Sequence, residues 1–236
     1  MDRTKSVVTA KRFEQGMTFD RYLAWIATPE NLRREGSMGP RRDWSGYLRA
    51  EYERARLTGH QVGSIRWLVA QPTGPRRILA LVEEWSSDCR RDLPMVARLA
   101  EAGGLELRIF LRDGDKSARA PRPEPGSSPN ADIMGEFLNE KNGQTWQSIP
   151  VFVFYGEDMR YLYHYIEYPA IYHKDRVVGQ IRAARSGEKA EETRARVDRE
   201  FFALQASPFF QLWACAGIDE MLSALHERLA LGSLEG

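Results

Sequence analysis

The side chains best suited to chemistry in this sequence are Ser86 and Cys89, three residues apart in a short polar segment. A thiol reacts as its thiolate, and the N-terminus of a helix favours negative charge. Arg90 and Arg91 also favour the thiolate, whereas Asp88 and burial favour the neutral thiol. The unassisted hydroxyl of Ser86 is a weak nucleophile. Cys89 is therefore the candidate reactive atom, and the balance of these effects predicts a quiet thiol.

A buried strand followed by a helix must position these residues. Residues 78–82 form a continuous apolar run, which is typical of a strand buried on both faces. The polar corner at 86–88 contains residue types that favour turns and helix N-caps. Apolar residues then recur at spacings of three and four, so we predict a helix over about 89–102 that ends at Gly103-Gly104. Cys89 is thereby placed in the first turn of a helix.

The elements that follow predict an α/β fold with a mixed sheet. Apolar segments bounded by polar turns indicate strands at 105–111, 149–155 and 160–166. A short helix is expected at about 131–138, and residues 170–185 are expected to supply the last helix. The resulting β-α-β-α-β-β-α order places two parallel strands with a right-handed crossover before a hairpin.

Two motifs resemble those of a known family. Trp85-Ser86-Ser87-Asp88-Cys89 is similar to the Trp-Cys-x-x-Cys active-site turn of thioredoxin-like proteins, especially bacterial forms with Asp before the second Cys. Ser148-Ile149-Pro150, which opens the third strand, resembles the cis-proline signature of the same family. The resemblance covers about 76–168. It implies a thioredoxin-like α/β fold in which a cis Ile149–Pro150 bond packs against the turn.

The resemblance breaks at the residue that matters most for activity. Ser86 stands where the family has its attacking cysteine, and only the resolving position keeps its sulfur, as Cys89. This departure argues against ordinary dithiol–disulfide exchange, which needs both thiols. Family members also carry an acidic residue on the preceding strand, where this chain has Ala80. Glu83 or Glu84 could replace that acid only if one of them points inward.

The first of two functions left open is redox chemistry at a single thiol. Cys89 would react with a protein or peptide thiol or disulfide, or with a small thiol or peroxide, and Ser86 would donate a hydrogen bond. The spacing is similar to the Thr/Ser-x-x-Cys of peroxiredoxins, although Val82 replaces the proline of that motif. Cys215 could then act as the resolving thiol, or be a buried, inert cysteine.

The alternative is a redox-inactive thioredoxin-fold module for peptide binding or assembly. In the family, the backbone beside the cis-proline bend is free to pair with an extended peptide. The residues that would contact such a peptide are Trp85, Ser87, Asp88, Ile149 and Pro150. A second copy of the chain is a further candidate partner.

The flanking segments divide the chain into three parts. A helical N-terminal extension is predicted over 1–75, a thioredoxin-like domain over 76–185 and a helical C-terminal extension over 186–236. Within the domain, residues 112–130 are rich in Pro, Gly, Ser and charge and poor in apolar residues. A segment of this composition buries too little apolar surface to become ordered, so we predict a flexible insertion. A more specific interpretation is that the insertion acts as a lid over the turn.

Composition excludes several classes of function. A net charge of +1 argues against a nucleic acid as the main partner. The basic cluster Arg33, Arg34, Arg41 and Arg42 lies among Gly, Ser and Pro and is predicted to be a solvated loop. The first residues lack an apolar signal region, and no apolar run reaches membrane-spanning length. We therefore predict a soluble, cytoplasmic protein.

The sequence also predicts a protein without a metal or an organic cofactor. Its 4 histidines are scattered, and none is paired with a cysteine at ligand spacing. The Gly103-Gly104 pair is not followed by the Lys-Ser/Thr of a phosphate-binding loop. Two cysteines, Cys89 and Cys215, do not make a disulfide framework.

Overall fold

The computed structural model describes residues 6–36 and 39–232. The helices of this part are α1 (Ala10–Phe13), α2 (Phe19–Ile26), α3 (Pro29–Arg33), α4 (Ser45–Arg54), α5 (Gly59–Ala70), α6 (Ser87–Gly103), α7 (Ala131–Glu136), α8 (Lys174–Arg182), α9 (Ala190–Gln205) and α10 (Pro208–Gly232). Its strands are β1 (Glu35–Gly36), β2 (Gly39–Pro40), β3 (Arg77–Val82), β4 (Glu106–Leu111), β5 (Asn139–Lys141), β6 (Gln144–Trp146), β7 (Val151–Tyr155) and β8 (Tyr161–Ile166).

A four-stranded mixed sheet in the order β4-β3-β7-β8 forms the centre of the protein. β3 runs parallel to β4 and antiparallel to β7, and β7 pairs antiparallel with β8. α6 connects the two parallel strands, and a short turn joins β7 to β8. The predicted α/β fold, with a parallel pair followed by a hairpin, is confirmed. The small two-stranded hairpins β1–β2 and β5–β6 were not predicted.

Local sequence signals explain where the central helices begin and end. Ser86 is the N-cap of α6, and Gly104, with a φ of 65°, ends the helix in the left-handed conformation that glycine adopts without strain. Thr58 and Gln61 form a capping box at the start of α5. The helix predicted over 89–102 therefore lies within the observed α6.

The sheet is covered on both faces, which explains the continuous apolar run in β3. Ile78, Ala80 and Val82 pack into the layer that contains α2, α4, α5, α6 and α10. Leu79 and Leu81 pack into the opposite layer, with α1 and α7. Because successive side chains of a strand point to opposite faces, both sets must be apolar.

The helix that completes the first layer is α10. It packs against α6, α5 and β8, and its Ile218, Met221 and Leu225 lie in the main core. The prediction that 170–185 supplies this helix is wrong, because α8 packs mainly on α9 and buries only Val178. α10 has the apolar side chains that this position requires, and α8 does not.

The segment 112–130 is largely irregular, but polar contacts attach it to the rest of the protein. Ser128 Oγ donates a hydrogen bond to the backbone oxygen of Arg112 at 2.5 Å. Gln147 Nε2 donates one to the backbone oxygen of Ala120 at 2.8 Å. The flexibility of this segment and the division of the chain into three parts remain predictions.

α9 and α10 follow one another with Ala206 and Ser207 between them. No single helix within residues 6–36 and 39–232 is long and apolar enough to cross a membrane. α9 and α10 reach the required length and composition only as a pair, with a bend of 59° between them.

Candidate functional site

The corner after β3 places Cys89 in the first turn of α6, as predicted. The Ser86 hydroxyl oxygen accepts a hydrogen bond from the Cys89 backbone N–H at 3.4 Å. Cys89 is only 1% exposed. Burial raises the pKa of its thiol to about 12, against the opposing effect of hydrogen bonding with the Glu83 backbone and the Ser86 side chain. Desolvation thus outweighs the helix N-terminus, and the thiol is neutral at physiological pH.

The cis-proline bend lies at the same corner of the molecule. The Ile149–Pro150 peptide bond is cis, as the resemblance implied. β3 and β7 pair with Leu81 opposite Val151, so this bond lies beside the C-terminal end of β3. Ile149 belongs to the same continuous core as Cys89. The two motifs that carry the resemblance therefore lie at the same end of the sheet.

The predicted site residues come together at this corner, but most of them are covered. Trp85 and Ser87 are partly exposed. The remaining residues are buried, namely Ser86, Asp88, Cys89, Ile149 and Pro150. Their predicted roles in redox chemistry or peptide binding remain predictions.

Two arginines from the segment around β1 and β2 pair with the glutamates that precede the turn. Arg34 and Arg41 are buried, so the prediction of a solvated basic loop is wrong for both. Arg41 Nη1 lies 2.6 Å from Glu83 Oε2 and 2.7 Å from Glu84 Oε2. Arg34 Nη2 lies 3.1 Å from Glu83 Oε1. Both glutamates point inward, and pairing with them makes the burial of the arginines tolerable.

Asp113 completes this group, which we call the N-side cluster, defined as Arg34, Arg41, Glu83, Glu84 and Asp113. Asp113 Oδ2 accepts a hydrogen bond from Trp85 Nε1 at 3.0 Å and lies 3.3 Å from Arg41 Nη2. Burial, followed by the Asp113 charge, raises the pKa of Glu83 to about 7, although Arg34 and Arg41 oppose the shift. The cluster therefore ties the indole of Trp85 to charges brought from distant parts of the chain.

A second, largely buried cluster involves the first turns of α6 and the start of α8. Arg91 Nη1 lies 2.7 Å from Asp88 Oδ1, and its Nη2 lies 2.6 Å from Asp92 Oδ2. Lys174 Nζ, from the start of α8, lies 2.6 Å from Asp88 Oδ2. Burial raises the pKa of Asp92 to about 6, although Arg91 opposes the shift. We call Asp88, Arg91, Asp92, Glu167 and Lys174 the C-side cluster.

Glu167 links the C-side cluster to the cis-proline bend. Its backbone N–H donates to the Pro150 carbonyl oxygen at 2.8 Å, and its own carbonyl oxygen accepts from Arg91 Nη2 at 3.1 Å. Its carboxylate also pairs with Lys174. The backbone beside the bend is thus partly occupied by the chain itself.

Arg90 connects the backbone before the turn to Trp44 and to the end of α9. Its Nη1 donates to the carbonyl oxygens of Glu84 and Trp85 at 2.9 and 2.8 Å. Its Nη2 donates to Gln205 Oε1, at the end of α9, at 2.6 Å. The guanidinium carbon lies 3.8 Å from the centroid of the Trp44 ring. Sequence reasoning treated this arginine only as an influence on the thiol and missed the hydrogen bonds by which it ties the end of α9 to the backbone before the turn.

The second cysteine lies on α10 and is partly exposed, and both cysteines are free thiols. Gln211 Nε2 lies 3.7 Å from Cys215 Sγ. Within residues 6–36 and 39–232, no group of three His, Cys, Asp or Glu side chains is arranged to hold a metal ion. The predicted absence of a metal and of a cofactor remains a prediction.

The mixed sheet, the turn at the start of α6 and the cis-proline beside it define a thioredoxin-like α/β protein. A family model described as "Thioredoxin" matches residues 46–182, which is more than half of the chain. The protein therefore belongs to the thioredoxin family. No curated protein matches the chain.

Two solved structures are similar to this protein at low sequence identity. A protein of unknown function from Pseudomonas aeruginosa is 14% identical, with a TM-score of 0.50, over 94% of this chain and 99% of that chain. An HIV epitope-scaffold is 15% identical, with a TM-score of 0.48, over 94% of this chain and 99% of that chain. At this level of identity, the likeness of the first of these shows the fold alone.

Proposed function

We propose that this protein is a redox-inactive member of the thioredoxin family that works by binding or assembly. The burial of Cys89 carries the proposal: its sulfur lies in the core and its pKa is raised to about 12 by desolvation. A redox cysteine needs both access to its substrate and a populated thiolate. Cys89 has neither in this conformation.

Single-thiol chemistry, with or without peroxide, has less support than a redox-inactive function. Ser86 is itself buried, and its hydroxyl oxygen caps α6 by accepting from the Cys89 N–H. Cys89 is 1% exposed, which leaves almost no surface for a peroxide to reach. Peptide binding at the bend has less support too, because Ile149 is 5% exposed and the Pro150 carbonyl is already hydrogen-bonded.

Assembly has a candidate surface elsewhere on the protein. Among the described residues, four of the eight strongly exposed large apolar side chains come from residues 171–212. They are Ile171, Phe202, Phe209 and Leu212, which we call the exposed apolar surface. Tyr172, Phe210 and Trp213 form one buried cluster, so we infer that their exposed neighbours in the sequence lie around it. A contiguous exposed apolar patch marks a protein–protein contact site. A second copy of the chain is the partner we favour, since a net charge of +1 gives little self-repulsion.

Alkylation of the two cysteines tests the redox-inactive proposal, with each cysteine serving as the control for the other. In Cys215→Ser, the remaining Cys89 should stay unmodified by iodoacetamide in the native protein and react fully after denaturation. In Cys89→Ala, the partly exposed Cys215 should react without denaturation. Rapid native alkylation of Cys89, with a midpoint below the roughly 8.5 of a free thiol, would refute the proposal and restore the redox function.

A further inference from the structure

A groove of about 640 Å³ lies between α5 and α10, on a part of the protein that the thioredoxin-like turn does not use. A volume of this order is within the range of small-molecule sites, which run from about 300 to 1,000 Å³. The groove is built from helices that pack against each other and against α6. Its walls therefore belong to the rigid core layer.

The two helices run side by side in the same direction along the groove. At one end, Gln61 Nε2 donates to Asp219 Oδ1 at 2.8 Å. At the other end, the rings of Trp67 and His226 lie 5.4 Å apart, centroid to centroid. With a rise of about 1.5 Å per residue, these two levels are separated by roughly 10 Å. The groove can thus hold an elongated small molecule.

Small residues keep the groove open. Gly59 and Gly63 lie four residues apart on α5, and a Cβ atom added to either would meet nothing within 4 Å. Ser64 and Ser223 also line the groove. Leu68 and Leu222 lie behind these residues, are buried, and supply an apolar floor.

The charge of the lining favours a cation. Among the described residues that line the groove, Asp219 alone is charged when the histidines are neutral. At the other end, Trp67 is 51% exposed, so part of its indole is open to a ligand. A carboxylate and an indole face both attract an ammonium group, and the indole also accepts apolar groups.

We propose that this groove binds a small organic amine with an apolar or aromatic body. The ammonium group would pair with Asp219, and the body would lie over Leu68 and Leu222 against the indole of Trp67. This assignment is independent of the redox state of Cys89 and of the assembly function proposed above. It rests on the shape, the charge and the aromatic wall of a groove in the α5–α10 layer.

Calorimetric titration of the full chain tests this assignment with three probes that share one carbon skeleton. The probes are 4-phenylbutylamine, 4-phenylbutanol and 4-phenylbutyrate. The amine should bind most tightly and the carboxylate least, because only the amine gains from Asp219. The absence of heat with the amine at millimolar concentration would overturn the proposal, and so would tighter binding of the carboxylate.

Four variants locate the binding. Asp219→Asn should weaken binding of the amine by about tenfold and leave binding of the alcohol unchanged, because this substitution removes only the negative charge. Trp67→Ala should weaken binding of both the amine and the alcohol. Trp146→Ala replaces a similarly exposed tryptophan outside the groove and should weaken binding of neither. Gly63→Leu should abolish binding by filling the groove, and replacing a helical glycine should preserve folding, as checked by circular dichroism. Unchanged amine binding in Asp219→Asn or in Gly63→Leu would refute the site.

Discussion

Arg41 should be the most sensitive position in the N-side cluster. Its Nη1 contacts Glu83 at 2.6 Å and Glu84 at 2.7 Å, and its Nη2 lies 3.3 Å from Asp113, with every one of these side chains 0% exposed. Arg41→Met keeps most of the aliphatic stem but removes the charge. Among the described residues, Glu84 has no other side-chain partner to replace it, so a buried carboxylate is left uncompensated.

The expected loss in the free energy of unfolding follows from the burial of these ion pairs. Removing one partner of a buried ion pair destabilises a protein by about 3–5 kcal/mol. For a chain of 236 residues, that loss corresponds to a fall in Tm of roughly 6–20 °C. The loss should be larger at pH 8 than at pH 5, because protonation can neutralise an orphaned carboxylate. Urea unfolding followed by circular dichroism measures both quantities.

Two companion variants make this prediction specific. Arg119→Met breaks an exposed ion pair in which the Arg119 side chain is 70% and the Glu35 side chain 42% exposed. This substitution should lower the free energy of unfolding by less than about 1 kcal/mol. Adding Glu84→Gln to Arg41→Met should restore about 1 kcal/mol or more, because the stranded charge is removed. The reasoning is refuted if Arg41→Met costs no more than Arg119→Met, or if Glu84→Gln makes the double variant worse.

The remaining predictions concern the core, the pH dependence and assembly. Leu225→Ala, in the core of α10, should cost about 2–5 kcal/mol in urea unfolding, and the exposed Leu212→Ala under about 0.5; equal losses would contradict the place of α10 in the core. Because the pKa of Glu83 is raised to about 7, the folded chain keeps a proton that the unfolded chain has released, so the free energy of unfolding should fall as pH rises from about 5 to 7. Glu83→Gln should flatten that fall, and an unchanged slope would contradict the shifted pKa. In light scattering, the wild type should be a dimer and Phe209→Asp a monomer; a monomeric wild type would rule out self-association through the exposed apolar surface.

Much of the local architecture can be predicted from short stretches of sequence. The β3 run and the corner at 86–88 carry their signals within a few residues, and so does the helix stop at Gly104. The cis Ile149–Pro150 bond required the family resemblance, because composition and periodicity do not distinguish it from an ordinary proline at the start of a strand. These features depend on neighbours along the chain, and sequence patterns describe such neighbours well.

Whether the charged residues of the candidate site are buried or solvated depends on contacts between residues far apart in sequence. Arg34 and Arg41 have the composition of a solvated loop, and only their pairing with Glu83, Glu84 and Asp113, at least 42 residues away, turns them inward. No local pattern encodes that pairing, since the same charges could equally have remained in water.

The sequence alone thus determined a thioredoxin-like strand, turn and helix, with Ser86 and Cys89 three residues apart at the turn. Only the tertiary structure decided that α10, not α8, completes the core, that Cys89 is buried, and that Arg41 and Lys174 pair with the acids that flank the turn, Glu84 and Asp88. The physical reason is that the pKa and the accessibility of a thiol depend on what surrounds it in space. Those surroundings are set by long-range packing.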